Sequence, residues 1–225
     1  MKRREFILVP ARALSGLVLS SLMGELIPAA AQEPVKVPLR FFTAPEAKII
    51  QAASERIFPS DESGTGATEA GVVIYIDRQL AGPYGKDRYR YTKGPWVASI
   101  PEHGYQGKET PQEIYRAGIK LLGADFASLL NEQQDLHLEK IQETYFFQLL
   151  RTHTVEGMFC DPLHGGNIGM VGWKLIGFPG PRMSYRYEID KYYGKTYSSA
   201  PKSLEQILRH PVKAVEDETF EQTRT

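Results

Sequence analysis

The sequence predicts a mainly α fold, a single irregular helical domain with long loops rich in glycine, proline and aromatic residues. Three observations carry this reading. Apolar residues recur at helical spacing in several runs, and those runs open on capping signals and close on Gly or Pro. Strand-type alternation is confined to a short lead at residues 32–40, too little to build a sheet. Removing a 31-residue leader from the 225 residues leaves 194, the length of one domain with a sizeable core.

The leader, residues 1–31, starts with Lys2, Arg3 and Arg4, continues through an apolar stretch at 13–27, and ends on Ala29, Ala30 and Ala31 before Gln32. This is the layout of a secretory signal with a small-residue cleavage site. Ser15, Gly16, Ser20, Ser21, Gly24 and Glu25 dilute the stretch below the roughly 20 apolar residues of a membrane span, which favours a cleaved leader over an anchor. Arg3, Arg4 and Phe6, in the run R-R-E-F-I, resemble the twin-arginine type of export signal, with Lys2 where Ser or Thr is usual. The expected destination is the periplasm, and the alternative is an ordinary signal with two chance arginines.

In the remainder, residues 32–225, the Pro-spaced lead at 32–40 is expected to be extended. Thr43 and Glu46 have capping-box spacing ahead of Ile49, Ile50, Ala53 and Ile57, predicting a helix that Pro59 stops. Thr68 and Glu69 open a second run through Val72, Val73, Ile76 and Leu80 to Gly82 and Pro83. Residues 84–107 are irregular and rich in Tyr, Gly and charge, with Trp96 between prolines. A loop of that length is functional or partner-bound, or else a solvated surface excursion.

Thr110, Pro111 and Glu113 give three agreeing helix-start signals. Ile114, Leu121, Leu122, Phe126 and Leu129 or Leu130 form the expected buried stripe. Asn131 to Gln134 repeats the capping logic, and Leu136, Leu138, Ile141, Phe146, Phe147, Leu149 and Leu150 predict one or two further helices reaching Glu156. Ser203 and Gln206 start a short C-terminal helix.

Lys plus Arg and Asp plus Glu both number 27, so the total charge points to no nucleic-acid partner and to no anionic membrane surface. A lone cysteine excludes an internal disulfide framework, a four-cysteine zinc site and an iron–sulfur cluster held by this chain's thiolates. In an oxidising compartment Cys160 is either buried and inert or paired with another chain.

Residues 159–180 concentrate Cys160, Asp161, His164, Trp173 and six glycines. Gly165, Gly166, Gly169, Gly172, Gly177 and Gly180 match no phosphate-binding pattern and follow a helix rather than a strand, which disfavours a nucleotide site. His153, Cys160, Asp161 and His164 are competent metal ligands at a spacing that fits no compact finger. Cys160 with His164 or His153 as base and Asp161 as orienting carboxylate would be a nucleophilic site. The remaining use of so much glycine beside Trp173 and Phe178 is close packing of backbone, within the core or against a second protein.

The stretch D-P-L-H-G-G-N-I-G-M-V-G-W-K-L-I-G-F-P-G at 161–180, with H-T-V-E-G at 153–157 and F-T-A-P-E-A at 42–47, resembles the small subunit (gamma, subunit 3) of bacterial gluconate 2-dehydrogenase. The resemblance is most specific in the glycine and tryptophan segment. It implies a non-catalytic chain with no catalytic, cofactor-binding or metal-binding residue of its own. Its partners would be a large FAD-containing subunit that oxidises a sugar acid, sugar or polyol, and a multi-haem c-type cytochrome carrying haem c. The complex would sit in the periplasm at the inner membrane. This chain, carrying the twin-arginine signal read by the export machinery, would escort the folded flavoprotein and stabilise it. The alternative is an independent periplasmic enzyme or metal-binding protein using the Cys160 and His164 region.

On this reading the partner interface comprises Cys160, Asp161, His164, Gly165, Gly166, Trp173, Tyr185 and Tyr187. The Tyr- and Arg-rich segment 182–193 and the Trp96 loop carry residue types enriched at binding hot spots, with plain solvated surface as the alternative. Cys160 is a candidate inter-subunit disulfide, against the alternative of a buried thiol behaving as a small hydrophobe.

Overall fold

A computed structural model of the chain describes residues 37–96, 100–182, 184–197 and 199–209. The leader with Arg3, Arg4 and Phe6, and the side chain of Tyr187, lie outside the described residues. Those residues form eight α-helices and no strand, with one isolated bridge between Asp61 and Gly64. No helix among them is long and apolar enough to cross a membrane. The mainly α, single-domain expectation holds.

Helix α1 (Ala44–Ile57) starts where predicted. The Thr43 N–H and hydroxyl both donate to the Glu46 carboxylate, at 2.9 and 2.8 Å. This helix is the centre of the bundle, packing against α2 (Val72–Ala81), α3 (Pro111–Leu122), α4 (Asn131–Ile141) and α5 (Tyr145–Phe159). Its buried face, Ile49, Ile50, Ala53 and Ile57, is the predicted one. Small Ala52, Ala53 and Ser54 let neighbours approach from several sides.

Helix α2 lies against α5 along the most extensive helix pair of the fold, where Val72 and Tyr75 pack over Gly157. The Tyr75 hydroxyl donates to Glu156 at 2.9 Å, adding a polar tie to that apolar seam. Helix α2 begins at Val72 rather than Thr68, because residues 67–71 are turns ending on Gly71 with φ of 70°.

Thr110 caps α3 as predicted: its N–H and hydroxyl reach Glu113 at 2.8 and 3.0 Å, and the Glu113 N–H returns to its hydroxyl at 3.3 Å. The expected long stripe is broken, however. Gly123, at φ of 92°, turns the chain after Leu122, and Phe126 is buried from a separate 3-10 turn, Phe126–Ser128. Helix α3 buries Ile114, Tyr115, Gly118, Ile119 and Leu122, which leaves Leu121 at the margin of the face and 59% exposed. Leu130 and Leu136 are also exposed, at 52% and 55%.

Helix α4 docks instead through Leu138 and a buried glutamine. The Gln134 amide donates to the carbonyls of Phe126 and Leu129, at 3.0 and 3.2 Å. Arg56 adds a two-pronged pair to Asp135 at 2.7 and 2.8 Å. The cap position of α4 is Leu130, whose N–H donates to the Gln133 side chain at 3.2 Å, rather than Asn131. The predicted run to Glu156 is two helices, α4 and α5, and α5 continues to Phe159.

Two helices were not predicted: α6 (Val171–Ile176) and α7 (Arg186–Tyr192). The C-terminal α8 (Leu204–Arg209) was. The Ser203 N–H meets Gln206 at 3.0 Å and the Gln206 N–H meets the Ser203 hydroxyl at 3.3 Å.

The described part of the lead, residues 37–43, is a series of bends rather than an extended strand. The cause is Asp77 on α2, 1% exposed, whose carboxylate accepts the backbone N–H groups of Arg40, Phe41 and Phe42 at 2.7, 3.0 and 2.9 Å. The three donors curl around one acceptor, which also satisfies amides just ahead of α1. Arg116 clamps the same bend by donating to the Phe41 carbonyl at 2.9 Å and lying 4.2 Å over its ring.

Asp77→Ala would orphan three backbone donors, two of them only partly buried. It is expected to cost about 3–5 kcal/mol, measured by denaturant unfolding against the unmodified chain.

Candidate functional site

The last turn of α5 ends inside the protein, so its carbonyls need partners. The glycine segment supplies them. The Gly157 carbonyl accepts the Asn167 backbone N–H at 2.8 Å, and the Cys160 carbonyl accepts the Asn167 side-chain amide at 2.8 Å. The Phe159 carbonyl accepts the Trp173 indole N–H at 2.7 Å. The other end of the Asn167 amide accepts the Gly172 N–H at 2.8 Å, fixing the first turn of α6. Asn167 is fully buried in a left-handed conformation, φ of 48°, which asparagine tolerates better than most residues.

The glycines answer a spatial demand. A methyl group on Gly172 would sit 2.0 Å from the Met158 carbonyl oxygen, and one on Gly166 would sit 2.3 Å from that of Gly157. The close backbone approach inferred from the sequence is therefore made to this chain's own helix. The Ile168 N–H reaches back to the Ala70 carbonyl at 3.0 Å, tying the segment to the turn before α2. Trp173, 3% exposed, meets the edge of Phe178 with ring centroids 5.2 Å apart.

The predicted site residues divide accordingly. Gly165, Gly166 and Trp173, expected at a partner surface, are covered by their own chain: Gly166 and Trp173 lie against the end of α5, and Gly165 against Arg78 of α2. One oxygen of Asp161 accepts the Leu163 N–H at 3.0 Å, and the other accepts the N–H of Leu204, the first residue of α8, at 2.7 Å. That carboxylate holds the C-terminal helix to the glycine segment. His164 is exposed beside Leu163, which is 53% exposed. Tyr185, 46% exposed, precedes α7, and Tyr187 lies within it.

Cys160 caps α5, half-buried, its thiol directed at the Gly157 carbonyl 3.7 Å away. Burial, reinforced by the charges of Asp161 and Glu156, pushes the thiol up to about 11. A thiol held protonated at neutral pH is a poor nucleophile and a poor metal ligand.

His153 stands apart from this cluster. It is 3% exposed and bridges two tyrosines, with the Tyr84 hydroxyl 2.9 Å from Nε2 and the Tyr115 hydroxyl 2.8 Å from Nδ1. Burial drives His153 down to about 4 and Tyr115 well above its ordinary range, so imidazole and phenol are both neutral. The imidazole donates at one nitrogen and accepts at the other, which makes it a core connector rather than a ligand. Among the described residues no group of three or more His, Cys, Asp and Glu side chains is placed to hold a metal ion.

Sequence reasoning missed Asn167, Tyr84, Tyr115 and Asp77, whose roles depend on contacts far along the chain. The H-G-G-N-I-G run was the available signal for Asn167, since an asparagine among glycines is a common left-handed position.

Two measurements test these assignments. The folded His153 titrates below its ordinary value, so the unfolded chain takes up the proton first as pH falls. Its contribution is full above about pH 6.5 and is lost on acidification towards pH 4, amounting to about 3 kcal/mol. Unfolding midpoints across that window should fall with pH, and His153→Gln should flatten the profile. Cys160 should react with a thiol-disulfide reagent about two orders of magnitude more slowly than a free cysteine while the chain is folded, and at the ordinary rate once unfolded.

No curated protein and no solved structure matches the chain. A family model does, that of gluconate 2-dehydrogenase subunit 3, over residues 44–180. The matched region runs from the first residue of α1 to the glycine that ends the segment closing α5, more than half of the chain. The chain belongs to the gluconate 2-dehydrogenase subunit 3 family.

Proposed function

We propose that this chain is the cofactor-free small subunit of a periplasmic, membrane-associated FAD-dependent dehydrogenase acting on a sugar acid or sugar. In this reading it escorts the flavoprotein subunit through twin-arginine export and stabilises it afterwards. FAD belongs to the large subunit and haem c to a multi-haem cytochrome subunit. Family membership over residues 44–180 is the observation that carries the proposal. The chemistry of the glycine segment supports it. Of the groups an independent catalyst would use, Cys160 and Asp161 are bonded to the chain's own backbone and His153 to Tyr115 and Tyr84, while His164 is exposed.

The contact surface in this proposal is the outer side of the same closure. His164 and the accessible parts of Cys160 and Asp161 lie with Leu163 and Ile168 on one short stretch, and Tyr185 and Tyr187 follow on the α7 segment. Gly165, Gly166 and Trp173 would act from beneath, by holding that stretch in shape. The covalent form of the contact, a disulfide from Cys160 to the flavoprotein, belongs to this proposal.

The escort role is tested by replacing both Arg3 and Arg4 with Lys and fractionating the cells. The expected result is that this chain and its flavoprotein partner both remain in the cytoplasm. A partner that still reaches the periplasm with its FAD would overturn the escort reading.

A further inference from the structure

The loop between α2 and α3 has a fastened base and an open tip. At the base, the Gln112 N–H donates to the Gly85 carbonyl at 3.2 Å, and its side chain donates to the Leu80 carbonyl at 2.7 Å. Arg90 pairs with Asp87 and donates to the Gly107 carbonyl at 2.7 Å, pinning one arm of the loop to the other. Tyr105 stacks on Tyr145 of α5 at 4.2 Å with rings 9° from parallel, and its hydroxyl donates to Glu109 at 2.7 Å. Tyr84, at the root, is the residue bonded to buried His153.

The stretch 88–96 holds large rings in solvent. Tyr89 is 86% exposed, Tyr91 77% and Trp96 43%. Arg88 and Lys93 are exposed among them, and the stretch contains Arg88, Arg90 and Lys93 but no acidic residue. The neutral total charge of the chain conceals this local excess.

We infer that this tip is a membrane-surface anchor: Tyr89, Tyr91 and Trp96 seat in the interfacial layer of an anionic phospholipid bilayer while Arg88 and Lys93 meet its phosphates. Tyr and Trp suit that layer because each joins an apolar ring to a polar group, and basic residues beside them are drawn to anionic headgroups. The charge complementarity favours lipid over protein. So does the shape, since an aromatic hot spot between proteins works from a well-packed, desolvated pocket. A tip with its rings spread through solvent fits a fluid surface that moulds to it. The contact is direct, in addition to any membrane association the subunit would gain through its complex, and it does not depend on the substrate of that complex.

The chain has two tryptophans, Trp96 on the tip and Trp173 in the core, so emission reports the tip without labelling. The full-length chain is mixed with vesicles of phosphatidylcholine and phosphatidylglycerol carrying brominated acyl chains. The expected result is quenching of the exposed component of the emission, and its loss in Trp96→Phe. Arg88→Gln with Lys93→Gln should weaken vesicle binding about thirtyfold, at about fivefold for each basic residue near an anionic surface. Circular dichroism should match the unmodified chain, because the substituted groups lie outside the core.

Three outcomes overturn the inference. One is vesicle binding without quenching of Trp96, which assigns the attachment to another part of the chain. Another is quenching that survives in Trp96→Phe. The third is Trp96 shielded from acrylamide by the purified flavoprotein partner and unquenched by lipid, which makes the tip a protein contact.

Discussion

The C-terminal turn of α5 is the constraint around which this structure is arranged. A helix that ends in the interior leaves carbonyls without partners, and an unsatisfied buried carbonyl costs more than an ordinary hydrogen bond returns. Here three of them, on Gly157, Phe159 and Cys160, are met by two side chains and one backbone amide from the segment that follows. To deliver those groups the chain must double back onto the helix it has just left. That requires residues without a Cβ at the points of contact, and a left-handed residue at the pivot. The composition of the most distinctive stretch of the sequence follows from that requirement.

Buried polar groups do comparable work elsewhere in the fold. Asp77 gathers the three amides before α1, and the His153 imidazole joins α5 to Tyr115 of α3 and to Tyr84 at the root of the long loop. Apolar faces alone tolerate repacking as long as volume is conserved. A carboxylate with three fixed donors, or an imidazole bonded at both nitrogens, accepts far fewer arrangements. In a bundle whose loops rival its helices in length, these groups give the irregular parts defined positions against the helices.

Three helix starts were legible because capping is local: Thr43 with Glu46, Thr110 with Glu113 and Ser203 with Gln206 each act within three residues. The stripes were less so. Leu121 and Leu136 sit close to the apolar spacing, but Gly123 stops α3 and Gln134 takes the docking position on α4, and neither event can be weighed from periodicity alone. Helix α6 has only six residues between left-handed positions at Met170 and Gly177, too short for a hydrophobic period to register. In the candidate site the sequence signalled close backbone approach beside Trp173, within the core or against a second protein. The identity of the approaching backbone was not in the pattern, because the Gly157 and Met158 carbonyls are ordinary helix groups until the chain folds onto them. His153 illustrates the opposite error: it is a ligand type by chemistry and a core residue by position, and only its burial between two tyrosines separates the two.

The inward direction of these polar groups bears on what such a subunit could contribute to a complex. Asn167, Asp77 and His153 spend their hydrogen-bonding capacity inside the domain, while Leu163, Ile168, Ile176, Ile189 and Leu208 stand between 48% and 71% exposed. In the proposed complex, contact through such side chains would be apolar, and its affinity would depend on how much ordering remains to be done when the partner arrives. The closure of α5 already fixes the backbone on both sides of Leu163 and Ile168: the Asp161 carboxylate holds the turn before them, and Asn167 with the Ala70 carbonyl holds the turn between. For the proposed escort role this matters in a specific way. A chaperone-like subunit that must meet its partner before export gains from a contact stretch made rigid by its own folding, since the entropy of ordering it has then been lost before the encounter. The hydrogen bonds that satisfy the end of one helix thereby also preorganise the residues beside it.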